Sequence, residues 1–334
     1  MQKRINLFIT EQESTIGVEG NRIYIRKDKS NLLDIPIINI RQIVLFGNIS
    51  ITPRAITRLL NDGVNITYLT SGGKYIGQIL SAEHPNSDIL RLQIKRSEET
   101  RFRYAVSQAI IEAKIKNSIA HLLQRRRIRT EINQKINELK INLKKIHSCT
   151  DIKELLGIEG ISAKAYFQGM KELLINDFGF NGRSKHPPED PVNAALSLSY
   201  TMLYSIIFSM LHINGLNPYI GFLHDTKYGH AALASDLLEE FRAFVCDRFV
   251  IRCFNQSMFA ADSFTVTANG VFFKEDALKL FLKNWAINLD TEINYNNSFK
   301  TNIYRLVEIQ TEQLRKSILN GETYKPYIFE ENIE

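Results

Sequence analysis

Cysteine is scarce. Three residues, Cys149, Cys246 and Cys253, occur in 334, with no CxxC pair. An odd number without that spacing excludes a full disulfide framework. Cys246 and Cys253, seven apart on an expected helix, are packing residues rather than ligands. The opening MQKRINLFIT runs straight into polar residues, so no secretory leader is expected and reduced cysteines in a cytoplasmic protein follow. Proline is missing between Pro85 and Pro187, an absence that favours helix across the middle of the chain. Charge is missing from Pro191 to Leu223. That stretch is long enough to cross a bilayer. However, Asn193, Ser197, Ser199, Thr201, Ser205, Ser209 and His212 interrupt it, and no basic residues closely flank it. A core helix buried on all sides is expected, with no membrane contact. Internal repeats and low-complexity tracts are also lacking.

What is present divides into two parts. RINLFIT, STIGVEG, RIYIRK and NIRQIVLFG are short runs rich in Ile, Val and aromatics, punctuated by turn residues, and read as strands. Thr52-Pro53 opens a helix that ends at Gly63, and VNITYLT is a further strand. After His84-Pro85-Asn86 the period changes to that of helices. The expectation is an α+β chain: a small β-rich amino-terminal domain over 1–80, a linker at 81–88, and an all-helical carboxy-terminal catalytic domain over 89–334. Helices are expected within Leu90–Leu143 and over Leu196–Leu211, Leu233–Phe249, Glu275–Leu289 and Thr301–Asn320. A turn or short hairpin is expected at Gly270.

The net charge is +6, but it is unevenly placed. Arg91 to Lys145 holds 15 Lys and Arg against 5 Asp and Glu, a net of +10. Such a concentration favours a polyanionic partner; the alternative is a solvated helical face. Arg91, Lys95 and Arg96 lie on adjacent helical faces, and Arg125, Arg126, Arg127 and Arg129 form a dense cluster. No base-reading pattern accompanies them, so phosphate contact is expected. Arg183 and Lys185, ahead of Pro187-Pro188, are either a grip on DNA backbone or an ordinary basic loop. Asn193 reads as a helix cap.

Two segments carry chemistry. In GFLHDTKYGHAALASDLLEEFR, His224 precedes an expected helix on which Asp236 and Glu239 stand at i, i+3, adjacent on one face. In LLGIEGISAKAYF, Glu159 lies between two glycines, which permit close backbone approach or mark a turn. Two acids and one imidazole from separate segments suit Mg²⁺ or Mn²⁺, the imidazole tilting the balance to Mn²⁺. Zinc remains open, although no Cys or second His stands at metal spacing. The same residues also fit a charged amphipathic surface helix, a structural His and a turn.

These segments resemble the CRISPR-associated integrase of spacer acquisition, the Cas family member numbered one. So do IVLFGNISITPRAITRLLNDGVNITYLTSGGKYIGQIL, RSKHPPEDPVNAALSLSYTMLYS and the lead-in LNPYIGFLH. The resemblance covers nearly the whole chain. It implies a metal held by Glu159, His224 and Glu239, with Asp236 orienting a ligand or binding through water. Lys227 and Arg242 become candidates for the target phosphate, or for pairing with Asp236 or Glu240. Tyr166 is a site residue or core, and His230 is structural. The family implies a homodimer through the amino-terminal domains and a small ferredoxin-like partner dimer. It also implies DNA as both reactants, a prespacer duplex and a CRISPR repeat. The activity implied is metal-dependent endonuclease and integrase chemistry. A non-enzymatic nucleic-acid-binding scaffold would keep the basic helices without needing the three ligands. A metal hydrolase of small substrates would need the acids without the basic segment.

Overall fold

The computed structural model describes residues 4–28, 30–81, 87–123, 130–184, 187–225, 229–295 and 299–329. Lys185, Lys227, Arg125, Arg126, Arg127 and Arg129 therefore lie outside the described residues, as does most of the expected linker. Contacts divide the chain into two compact units, Met1–Glu83 with Leu278–Ala286, and His84–Ala277 with Ile287–Glu334.

The first unit is built from β1 (Ile5–Ile9), β2 (Thr15–Glu19), β3 (Arg22–Lys27), β4 (Ser30–Pro36), β5 (Ile40–Phe46), β6 (Ser50–Ile51), α1 (Pro53–Asn61), β7 (Asn65–Leu69) and β8 (Tyr75–Ile79). They form two four-stranded sheets, in the orders β1-β5-β7-β8 and β4-β3-β2-β6. β1, β5 and β7 run parallel and β8 antiparallel. Thr52 caps α1 by accepting from the Ala55 N–H, and Pro53 fills its first turn, as the Thr-Pro pair requires. Ile16, Ile23, Ile43, Leu45, Leu59 and Ile66 close one apolar core.

The second unit is mostly helical. It contains α2 (Ser87–Glu98), α3 (Thr100–Leu123), α4 (Thr130–Lys145), α5 (Ile152–Lys171), α6 (Pro191–Ile213), α7 (Ala232–Phe241) and α8 (Arg248–Asn255). A π-helical stretch, Arg242–Asp247, joins α7 to α8. Among the described residues two hairpins interrupt the helices: the one expected at Gly270, β9 (Phe264–Thr267) with β10 (Gly270–Phe273), and an unexpected one, β11 (Glu292–Tyr295) with β12 (Phe299–Asn302). α9 (Glu275–Leu289) and α10 (Ile303–Asn320) complete the chain, the middle of α9 grouping with the strand unit. α6 is long and apolar enough to span a bilayer, yet its most apolar window is 78% buried in protein, which makes it a core helix. Its cap is Asp190, whose carboxylate accepts from the Asn193 N–H at 2.8 Å. Asn193 is therefore not the cap; it stands one turn inside, and its side-chain oxygen accepts from Arg183 at 2.9 Å. All three cysteines are free thiols, Cys246 and Cys253 buried.

Candidate functional site

α7 is buried at every position, including Asp236, Glu239 and Glu240. A surface helix would expose these acids; here each must be compensated inside the protein. The three solutions differ.

Asp236 is fully enclosed and accepts four hydrogen bonds. Its Oδ2 takes the Phe222 and Leu223 N–H groups at 2.6 and 3.0 Å. Its Oδ1 takes the His224 N–H at 2.9 Å and the His224 imidazole Nδ1 at 2.7 Å. A side chain at Gly221 would meet Asp236 Oδ2 at 2.8 Å and the Ala232 Cβ at 2.7 Å, so only glycine lets the loop close over this carboxylate. With both oxygens occupied, Asp236 positions the loop and the ring and has no lone pair to spare as a ligand. Nδ1 carries its proton towards Asp236 and Nε2 remains for a ligand. The Asp236 hydrogen bond raises the His224 pKa above its ordinary value against the opposing effect of burial, and the charge of Glu239 adds to the rise. Arg103 braces the same loop, donating to the Phe222 carbonyl at 2.8 Å and to Asp225 at 2.9 Å. The His230 ring stands edge-on to His224, with 6.0 Å between centroids.

Glu239 is met by two cations. Arg242 reaches Oε1 at 3.2 Å and Lys114 reaches Oε2 at 2.6 Å. Burial disfavours its charge, but Arg242 and Lys114 outweigh that and hold the carboxyl down at about 2. Oε2 is buried and is covered by the Lys114 ammonium. Lys114 also pairs with Glu159 of α5. Glu159 lies mid-helix, so GIEG is not a turn; Gly157 and Gly160 have open space where side chains would project. Glu240 turns elsewhere. It accepts from the Tyr324 hydroxyl at 2.8 Å, and burial pushes its carboxyl well above the usual range.

Arg242 thus pairs with Glu239, not with Asp236 or Glu240. It lies over the Tyr200 ring at 4.9 Å, and its buried Nε has no acceptor among the described residues. Behind it, the π-helical stretch turns Asp247 inward, a device common at functional sites. Asp247 accepts from Tyr166 and Tyr200, and Tyr166 contacts His121 at 2.7 Å. Tyr166 is therefore a buried support. Arg183 is no exposed loop residue: it donates to Asn193 and to Ser197 at 3.0 Å and lies 5.4 Å from the Tyr200 ring. Arg96 is also committed internally. It pairs with Glu99 at 2.7 Å and packs against the Phe102 ring and against Gly321 at the end of α10, whose φ of 72° favours glycine. Arg91 stands exposed.

Among the described residues, no three His, Cys, Asp or Glu side chains are drawn together into a ready ion shell. The Lys114 ammonium instead stands between Glu159 and Glu239. The two carboxylates that meet this cation, with an imidazole whose Nδ1 is taken by Asp236 and whose Nε2 is left over, make a donor set that fits a hard divalent ion. Sequence reasoning missed Lys114, Arg103, Asp247 and His121. Arg103, Ser107, Lys114, Asn117 and His121 interrupt the apolar stripe of α3 with polar side chains. That break in pattern was the available signal.

The profile of the family described as "CRISPR associated protein Cas1" matches residues 7–286. The chain is 30% identical over 325 residues to "CRISPR-associated endonuclease Cas1 3" of Thermus thermophilus, covering 96% of each. Its fold matches a chain of a "Cas6-RT-Cas1--Cas2 complex" with a TM-score of 0.84 at 24% identity, over 99% of this chain and 36% of that one. A "Casposase bound to integration product" matches with a TM-score of 0.84 at 21% identity, over 99% and 96%. A family match along most of the chain and a full-length relative at this identity agree with the fold: the chain belongs to the Cas1 family of CRISPR-associated endonucleases.

Proposed function

We propose that this protein is a metal-dependent DNA integrase and endonuclease that inserts foreign fragments as spacers into a CRISPR array. The 3′-hydroxyl of a captured fragment attacks a repeat phosphodiester, forming one P–O bond and breaking another. With water in place of the hydroxyl, the same site is a nuclease. The observation that carries this reading is the convergence of Glu159 and Glu239, from different helices, on one cation beside an imidazole oriented by Asp236.

Glu159, His224 and Glu239 would hold Mg²⁺ or Mn²⁺, which when bound supplies Lewis-acid polarisation of the target phosphate and stabilises its developing charge. Asp236 keeps the His224 ring in one tautomer and one orientation. Arg103 holds the loop that carries it. Arg242, with a buried N–H that has no acceptor among the described residues, supplies fixed positive charge next to Glu239. No covalent enzyme intermediate is required. Partners on this reading are a prespacer duplex, the repeat DNA, a second copy of the chain joined through the strand unit, and a small ferredoxin-like partner dimer, all in the cytoplasm. Two fold neighbours, a chain of a Cas6-RT-Cas1--Cas2 complex and a casposase bound to integration product, support that assembly and chemistry. Arg91, Lys185, Lys227 and the Arg125–Arg127 cluster are the proposed phosphate contacts. A non-enzymatic scaffold has no use for acids buried along α7.

The test is joining of a 3′-hydroxyl duplex to a repeat-containing plasmid, with partner protein and Mn²⁺ or Mg²⁺. His224→Ala leaves the basic surface intact, so DNA binding survives while joining falls on the order of a hundredfold or more. Glu159→Ala and Glu239→Ala behave alike, and pairs add little because they act through one ion. Full activity in folded His224→Ala protein refutes the mechanism.

A further inference from the structure

We propose that Lys114 is a working member of this site: its ammonium is the site's internal cation, and it competes with the divalent ion for Glu159 and Glu239. The inference rests on the metal-dependent reading above.

Lys114 projects from the middle of α3 and pairs at once with Glu159 of α5 and Glu239 of α7. Its side chain is 13% exposed and that of Glu239 is 5%, so water does little to separate the charges. Two carboxylates facing each other without a cation would repel in a poorly solvated space. Some positive charge must therefore stand between them whenever the ion is absent. The two cations on Glu239 are not equivalent. Arg242 is held over Tyr200 and reaches Oε1. Lys114 covers the buried Oε2 at 2.6 Å. The oxygen it covers is one that an ion bound by Glu239 would need. An ammonium on a flexible four-carbon stem is the exchangeable partner of the two, because it can leave without moving backbone. An ion that takes Glu159 and Glu239 must displace it, so Lys114 weakens metal binding and holds the metal-free site in shape.

The experiment measures Mn²⁺ affinity by electron paramagnetic resonance in the full-length protein and in Lys114→Met, which keeps the stem and removes the charge. Lys114→Met is expected to melt at a lower temperature without metal and to bind Mn²⁺ more tightly, on the order of tenfold. Equal or weaker Mn²⁺ binding by folded Lys114→Met overturns the proposal. If that variant does not fold, amine acetylation of the unsubstituted protein read by mass spectrometry decides. Lys114 should be protected without metal and labelled in saturating Mn²⁺; labelling that metal leaves unchanged overturns the proposal. Glu159→Gln separates the two claims. Mn²⁺ binding that Glu159→Gln abolishes, with no change in Lys114→Met, removes only the role of Lys114. An absence of Mn²⁺ binding in every form removes the metal reading as well.

Discussion

Replacing Asp236 by Asn tests whether this residue positions His224 or merely fills space. The substitution keeps shape and volume but leaves one acceptor oxygen where four donors now converge. Two of the four hydrogen bonds are lost, and the new NH₂ faces N–H groups instead of accepting from them. The affected groups are buried backbone amides of the 222–224 loop, each costing about 1–3 kcal/mol when left unpaired. A loss of about 2–5 kcal/mol is therefore expected. Urea unfolding should be followed by far-UV circular dichroism, because the only tryptophan, Trp285, belongs to the strand unit. A second readout separates positioning from bulk stability. In metal-free protein the His224 pKa lies above its ordinary value, with Asp236 as the main cause. The stabilisation from that pair is fully present below pH ~6.5 and is lost as pH rises through the folded value. In Asp236→Asn the pH dependence disappears and the imidazole, still partly buried, titrates lower by NMR. Stability within about 0.5 kcal/mol of the parent, a range typical of bland surface changes, together with an unmoved His224 titration would refute the argument.

Three further outcomes are expected, two from the structure and one from the sequence. Asp247 is held at about 6 by burial, against the opposing pull of the Tyr200 and Tyr166 hydroxyls. The folded protein therefore keeps a proton that the unfolded chain loses near its ordinary 3.8. Asp247 should make stability fall as pH rises between those values, by up to about 3 kcal/mol, and the fall should be shallower by that amount in Asp247→Asn when unfolding is measured across the window. Arg96→Ala should cost about 1 kcal/mol in denaturant unfolding through the lost packing on Phe102 and the Glu99 pair. It should also leave DNA affinity nearly unchanged, whereas Arg91→Glu should weaken filter-binding affinity for unrelated duplexes alike. Reversing Arg125, Arg126, Arg127 and Arg129 to Glu should lower the slope of log affinity against log salt by roughly 0.9 per lost phosphate contact; an unchanged slope would put the footprint elsewhere.

The uneven charge shows how a pattern can be sound and still mislead in detail. The basic excess between Arg91 and Lys145 pointed to nucleic acid. Yet Arg96 and Arg103 are taken up by the exposed Glu99 and Asp225, and Lys114 spends its charge inside the molecule on the Glu159–Glu239 pair. Periodicity assigns such residues to a helix; it does not say whether a given cation finds water or a buried carboxylate. Arg183 is the same case, since a loop of basic residues before two prolines carries no sign that Asn193, Ser197 and Tyr200 will enclose it. The hairpin at β11–β12 escaped for a simpler reason: four-residue strands are too short to set a period.

Sequence alone was enough for the division into strand and helix, the boundaries of α1, and the core position of α6. These depend on local chemistry: β-branched runs, a Thr-Pro start, and a stretch without charge that water would not otherwise tolerate. Local spacing also put Asp236 and Glu239 on one face of one helix and singled out Glu159 and His224, and the resemblance joined Glu159, His224 and Glu239 into one expected ligand set. Tertiary structure decided what those carboxylates do. It buried α7 on every side, so that each acid had to be neutralised by a partner distant in sequence. It enclosed Asp236 with the backbone of the 222–224 loop, sent Glu240 to Tyr324, and left Glu239 facing Lys114. Compensation of buried charge is a long-range property. The desolvation cost arises where helices pack together, and the partner is whichever group the packing brings within reach.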